Sequence, residues 1–493
     1  MRTPLLVVGD ALLDRDTCGR AERLAPDAPV PVLSGTTRTA RPGGAALAAR
    51  LAAADGRDVT LVTALGDDPA SARLRQLLDG WVRVVAIPLH GGLPVKTRFL
   101  AGGRPLLRLD HGDGRAAGAT RAAEEAIAGA SAVLVSDYGR GTADALRDAL
   151  AAAAARVPVV WDPHPRGGPP VRGVRLATPS AAEAGALAPA PLDANDGRPN
   201  GWLRAAAHHA AALVRVWRVT SVAVTLGERG VLLSHGGAPL FVPVPWQAAG
   251  DACGAGDRFA ASAAGLLGDD ALPEDALQGA VRSAARYVAD GGARAYDDGH
   301  PPPDPARTDE TQATTVRADV VEGAAEEAAA TVARVRAAGG TVIAAGGCFD
   351  LLHAGHVGLL QAARRTGDCL VVCLNSDASV RRRKGPGRPI VPVGDRIRVL
   401  RALACVDAVA VFDEPTPERL LGELRPDVWV KGGDYGAAEL PETALLESWG
   451  GQVLLLPYLD GRSTTALARS ATGTTPSHGR GAPGAPQPSR VGG

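Results

Sequence analysis

At 493 residues the chain is too long for one ordinary hydrophobic core, so at least two domains are expected. Its 53 basic and 53 acidic residues cancel, which excludes a global attraction to nucleic acid or an anionic membrane. The opening "MRTPLLVVGD" is too short an apolar run for a signal sequence, and no stretch reaches the roughly 18 apolar residues of a membrane span, so a cytoplasmic protein is expected. Six cysteines, Cys18, Cys253, Cys348, Cys369, Cys373 and Cys405, lack CxxC spacing and read as reduced thiols rather than a disulfide framework or zinc ribbon. Only three of the basic residues are lysines, Lys96, Lys384 and Lys431. A lysine that survives such a bias toward arginine marks a position where a compact ammonium is useful.

From residue 5, short β-branched runs alternate with alanine-rich helical stretches: "LLVVGD", "VTLVTALG", "AVLVSDYG", "VPVVWDPH", "VAVTLGERG". This alternation predicts α/β architecture, with βαβ units building a doubly wound parallel sheet. "PVPVLSG" and "VKTRFLAGGRPLLRLD" differ; they predict extended strands and a small β-flap beside the sheet. "APAPLDANDGRPN", residues 188 to 200, reads as a surface loop.

"GDACGAGDRFAAS", residues 250 to 262, follows a strand-like run and opens a helix. The free N–H groups of Gly254, Ala255 and Gly256 at such a helix start can hold an anion, and Asp257 is placed to accept a proton from a hydroxyl. The same pattern also suits an N-cap aspartate after a glycine turn.

The segment "DDGHPPPDPARTDETQATT", residues 297 to 315, reads as the clearest linker. The expected division is a first domain over residues 1–305, a linker over 306–320, a second, smaller α/β domain over 321–470 that begins with an alanine-rich helix of about twenty residues, and a disordered tail over 471–493.

In the second domain "AAGGCFDLLHAGHVGLL" ends a strand in glycines and sets His353 and His356 on one turn of a starting helix. As metal ligands the pair lacks a third partner at suitable spacing other than Cys348, and two imidazoles beside Gly355 pack poorly in a core. Histidines at a helix N-terminus suit holding and neutralising nucleotide phosphates.

Two resemblances sharpen this reading. "RPGGAALAA" and "GDACGAGDRFAAS" resemble the paired signatures of the ribokinase (PfkB) family of sugar kinases over about residues 4 to 305. The resemblance implies a flap lid over the sugar and Asp257 as general base. It also places Asp14, Gly43, Gly44 and Lys96 at the sugar, Glu183 near magnesium and phosphate, and Thr225, Gly227 and Gly230 at the nucleotide. "HAGH" is similar to the HxGH signature of nucleotidyltransferases. That likeness implies a Rossmann-like domain in which His353, His356 and Lys431 act on the triphosphate, while Phe349, Asn375, Asp377, Lys384, Gly432, Asp434, Ser463, Thr464 and Thr465 bind nucleotide.

A kinase followed by an HxGH transferase resembles the bifunctional heptose 7-phosphate kinase/heptose 1-phosphate adenylyltransferase family. This implies ATP as substrate, magnesium carried with it rather than by direct protein ligands, heptose phosphates as partners and a homodimer. Leu47, Ser180 and His164 depart from the family's asparagine, asparagine and lysine; Leu47 is expected to take a polar group from the sugar side. Another phosphosugar kinase fused to a cytidylyltransferase, or a kinase half decayed into a regulatory module, shares these motifs.

Overall fold

The computed structural model describes residues 2–190, 201–246, 250–293, 324–432 and 440–457. The expected 306–320 linker and the tail lie outside the described residues, as do Asp434, Ser463, Thr464 and Thr465.

The N-terminal half is the predicted doubly wound sheet. Leu5–Gly9 pairs in parallel with Val59–Leu65 on one side and with Val133–Ser136 on the other. Beyond Val133–Ser136 follow Val159–Asp162, Leu176–Ala177 and Val222–Thr225, all parallel, and then the antiparallel Gly230–Ser234 and Leu240–Pro243. Helices cover both faces, as the apolar runs of a parallel sheet require. Ala45–Ala54, Ala255–Gly268 and Pro273–Ala289 bury one face, while Ile127, Leu150, Leu203 and Leu213 pack on the other with Trp161. The strands that follow Leu5–Gly9 in the sheet lie on opposite sides of it, and such a switch of strand order opens a crevice for ligands at the C-terminal ends.

The flap forms, and it is larger than the two predicted segments. Its order is Pro31–Gly44, Ala11–Leu24, Val95–Ala101, Arg104–His111. Asp16 locks its base, accepting both terminal nitrogens of fully buried Arg41 at 3.0 and 3.2 Å and Nε of Arg98 at 3.0 Å.

The C-terminal half carries five parallel strands in the order Ala408–Phe412, Cys369–Asn375, Val342–Gly347, Val428–Gly432, Gln452–Leu456. Its first strand, Val342–Gly347, lies beside Val428–Gly432, again a switch point. The alanine-rich helix is described over Ala324–Ala337, and it packs Val332 and Val335 under this sheet.

One feature departs from two separate sheets. Leu240 pairs in parallel with Leu455, Leu455 N donates to Pro239 O at 3.0 Å, and the halves become one 15-stranded sheet. Two exposed edges satisfy each other's backbone groups there.

Candidate active sites

The kinase-like site forms where the helix Ala255–Gly268 points its N-terminus at the switch point. Gly254 caps that helix at φ 80°, a conformation an L side chain resists, and a Cβ there would come within 2.7 Å of Leu47 Cδ2. Asp257 lies in the first turn, 8% exposed. Burial pushes its carboxyl up to about 7; a hydrogen bond from Tyr138 and the Lys96 ammonium pull down, and Asp14 pushes up further. A carboxylate near 7 is matched to accepting a proton at neutral pH.

A cavity of about 610 Å³ brings Thr225, Gly227 and Gly230 together with Ala255 and Gly256. Val244, Trp246, Phe259 and Val281 give it an apolar wall suited to a base ring. Asp14 and Lys96 are register partners across adjacent flap strands. Burial raises the Asp14 carboxyl, opposed by Arg41 and Lys96. Gly43 and Gly44 sit where side chains cannot: a Cβ on Gly43 would lie 2.6 Å from Asp14 Oδ2, and one on Gly44, at φ 58°, 2.6 Å from Asp10 O.

Glu183 and Ser180 form a reciprocal cap. Ser180 N donates to Glu183 Oε2 at 2.8 Å, and Glu183 N donates to Ser180 Oγ at 3.3 Å. Ser180 is therefore a helix cap as well as a shorter polar group. Asp162, which sequence reasoning passed over, is half-buried near Asp257 and Glu183; loss of hydration, then Asp257, pushes its carboxyl well above the usual range. Among the described residues no group of three or more His, Cys, Asp or Glu is placed to hold a metal. Crowded carboxylate oxygens are nevertheless hard donors whose repulsion a divalent cation carried by nucleotide would relieve, so they fit such an ion in that indirect manner.

Leu47 is 1% exposed and packs with Leu51, Tyr287 and Ala293 beneath the Gly254 turn. An apolar side chain there fills a core. His164 stacks on Tyr138 at 6.2 Å and its Nδ1 accepts Arg166 N at 3.1 Å.

In the C-terminal half His353 is the N-cap of the helix Ala354–Arg364 and His356 its third residue, with ring centroids 3.9 Å apart. His353 Nδ1 accepts Gly355 N at 3.1 Å, and His356 Nδ1 accepts His353 N at 3.4 Å. An Nδ1 that accepts leaves the proton of a neutral imidazole on Nε2, the nitrogen a phosphate would meet. Burial, then His353 and Lys384, hold His356 down at about 4. At neutral pH the ring is therefore a neutral donor before any phosphate charge is brought beside it.

His356 lines a cavity of about 670 Å³ with Phe349, Asn375, Lys384, Lys431 and Gly432. Lys384 Nζ donates to Cys348 Sγ at 3.0 Å. Lys431 pairs at 2.9 Å with Glu442, 3% exposed, a partner that no motif announced. Asp377 does not join them. Its Oδ1 accepts Val393 N at 2.9 Å and Nη2 of buried Arg396 at 2.7 Å, so it ties the start of the helix Asp377–Lys384 to the first turn of the helix Val393–Arg401. Asp377→Asn should accordingly cost about 1–3 kcal/mol of stability, read from thermal or urea unfolding, with ATP affinity in this half little changed.

Residues 2–298 match the pfkB family carbohydrate kinase model and residues 344–451 the cytidylyltransferase-like model. "Bifunctional protein HldE" of Streptomyces coelicolor is 64% identical over 96% of this chain and 97% of its own, and that of Azorhizobium caulinodans 38% identical over 95% and 98%. Among solved structures, Arabidopsis thaliana ribokinase complexed with ribose and ATP aligns at TM-score 0.44 and 21% identity, covering 58% of this chain and 93% of its own. A carbohydrate-kinase fold and a nucleotidyltransferase fold in this order, matched nearly end to end by such relatives, place the chain in the bifunctional HldE family, as a sugar kinase joined to a nucleotidyltransferase.

Proposed function

We propose that the chain carries out two steps toward ADP-heptose. In the first, the O1–H proton of D-glycero-β-D-manno-heptose 7-phosphate passes to Asp257. O1 bonds to the γ-phosphorus of ATP as the bond to the β,γ-bridging oxygen breaks, and ADP leaves beside the 1,7-bisphosphate. Gly254, Ala255 and Gly256 stabilise the transferring phosphoryl group, Thr225, Gly227 and Gly230 seat the nucleotide, and Asp14 and Lys96 hold the sugar phosphate over Gly43 and Gly44. Glu183 and Asp162 would lie near magnesium carried in with ATP, which would supply charge neutralisation at the phosphates.

A separate phosphatase removes the 7-phosphate. In the second step a phosphate oxygen of heptose 1-phosphate attacks the α-phosphorus of ATP, the α,β-bridging bond breaks, and pyrophosphate leaves as ADP-heptose forms. His353 and His356 donate through Nε2 to the triphosphate, Lys384 and Lys431 carry the positive charge, and Phe349, Asn375 and Gly432 wall the nucleotide.

The observation that carries this reading is the pairing of two phosphate-handling helix N-termini, each over its own cavity, on a chain matched at 64% identity across 96% of its length by a bifunctional relative. Supplying heptose 1-phosphate with ATP or with CTP tests the transferase half. Pyrophosphate and ADP-heptose from ATP are expected; a product formed from CTP alone would assign a cytidylyltransferase instead.

No helix among the described residues is long and apolar enough to cross a membrane, which is compatible with work in the cytoplasm. On the same reading two copies pair through the flap. Leu107 and Leu109, 60% and 53% exposed, leave one face of its outer strand apolar and uncovered. Sedimentation should show a dimer for the native chain and monomers for Leu109→Asp; a monomeric native chain would contradict the pairing.

A further inference from the structure

Asp257 does not stand alone at its helix start. The hydroxyl of Tyr138, 119 residues away in sequence, donates to its Oδ1 at 2.9 Å. Tyr138 lies on the turn after Val133–Ser136, and that turn is fixed by one carboxylate: Asp10 accepts Tyr138 N at 3.1 Å, Arg140 N at 2.7 Å and Thr142 N at 3.1 Å. The ring is held as firmly. His164 stacks on it, Lys96 Nζ lies 5.3 Å from its centroid, and a Cβ on Gly44 would come within 3.2 Å of its Cε2. Burial, then Asp257 and Asp162, pushes the phenol well above its ordinary value, so it remains a donor at any pH at which the enzyme works.

An aspartate carboxyl rotates in a broad, two-fold well, so either oxygen can turn toward a substrate unless something chooses. We infer that Tyr138 is a positioning residue for the kinase reaction: by donating to Oδ1 it fixes the carboxylate plane and presents Oδ2 as the oxygen that takes the sugar proton. The inference rests on the reading of Asp257 as the base. It assigns a role to the tyrosine of "SDYG" that the glycine signatures do not.

Tyr138→Phe keeps the ring, with its packing on Gly44 and His164, and removes only the hydroxyl. The groups facing Asp257 are then Asp14 from the flap, Lys96 from the adjacent flap strand and Asp162 from the sheet. Loss of a hydrogen bond that favours the carboxylate raises the Asp257 pKa, so the acid limb of the kinase pH profile should move to higher pH. Turnover should fall by about 10- to 100-fold through misaligned proton transfer. KM for ATP and sugar phosphate should stay within about twofold, because neither is bound by the lost hydroxyl.

The test is made in the full chain, with adenylyl transfer by the other half as internal reference, and with Asp257→Asn alongside. A Tyr138→Phe enzyme with native turnover and an unmoved acid limb, beside an inactive Asp257→Asn, overturns this inference alone. Full activity in Asp257→Asn would instead remove the base on which it rests. Loss of ADP binding together with turnover in Tyr138→Phe would make Tyr138 a packing residue and overturn the inference as well.

Discussion

Asp257→Asn should lower phosphorylation of the sugar phosphate by about 10²- to 10⁴-fold, the usual worth of a positioned general base. The change is close to isosteric, so the helix start, the Gly254 turn and the acceptor for Tyr138 persist, and ADP should bind as before. The native enzyme has a further signature. A base held near 7 by burial is protonated below that pH and free above it, so kinase kcat/KM should rise with pH through about 7. Adenylyl transfer from supplied heptose 1-phosphate should be untouched, since Asp257 does not line the C-terminal cavity and follows Ala255 and Gly256, which line the other. Direct assay of the two half-reactions checks both statements; equal loss in both halves would point to unfolding.

His356→Ala should produce the opposite division. Its ring lines the C-terminal cavity beside Lys384, Lys431 and Phe349, with ring centroids 5.4 Å apart for His356 and Phe349. Removing a donor aimed at charge that develops on the triphosphate costs about 10²- to 10³-fold in turnover. The kinase half should keep its activity. Because burial and neighbouring positive groups keep the unliganded ring neutral down to about 4, the histidine helps as a hydrogen-bond donor first and takes up a proton only once phosphate arrives. His356→Gln, which retains a donor, should recover part of the loss, a result that a purely cationic role would not give.

What the sequence made legible was local. Glycines before a helix start, an aspartate in its first turn and two histidines three apart all declare backbone geometry within a few residues, and the structure brings Gly254, Asp257, His353 and His356 to the ends of their sheets as that spacing implies. The alternation of β-branched runs with alanine-rich stretches likewise marked the doubly wound sheet. Partners set by the tertiary fold were out of reach. No periodicity links Tyr138 to Asp257, or Glu442 to Lys431, because those contacts join separate elements. Asp377 stood in a nucleotide motif, yet Arg396, brought beside it by the following helix, engages its carboxylate. The packing of Leu47 against Tyr287 was equally hidden, since only the fold brings that distant helix beside it. The join of two sheets through Leu240 and Leu455 was hidden for the same reason, being a pairing of edges far apart in sequence.

The most direct test of the two-step account is to incubate the purified chain with ATP, magnesium and D-glycero-β-D-manno-heptose 7-phosphate, following products by mass spectrometry before and after a 7-phosphatase is added. The account predicts a heptose 1,7-bisphosphate first and ADP-heptose with pyrophosphate after the phosphatase. Absence of the bisphosphate, with ADP-heptose still formed from supplied heptose 1-phosphate, would contradict the assignment of the kinase half.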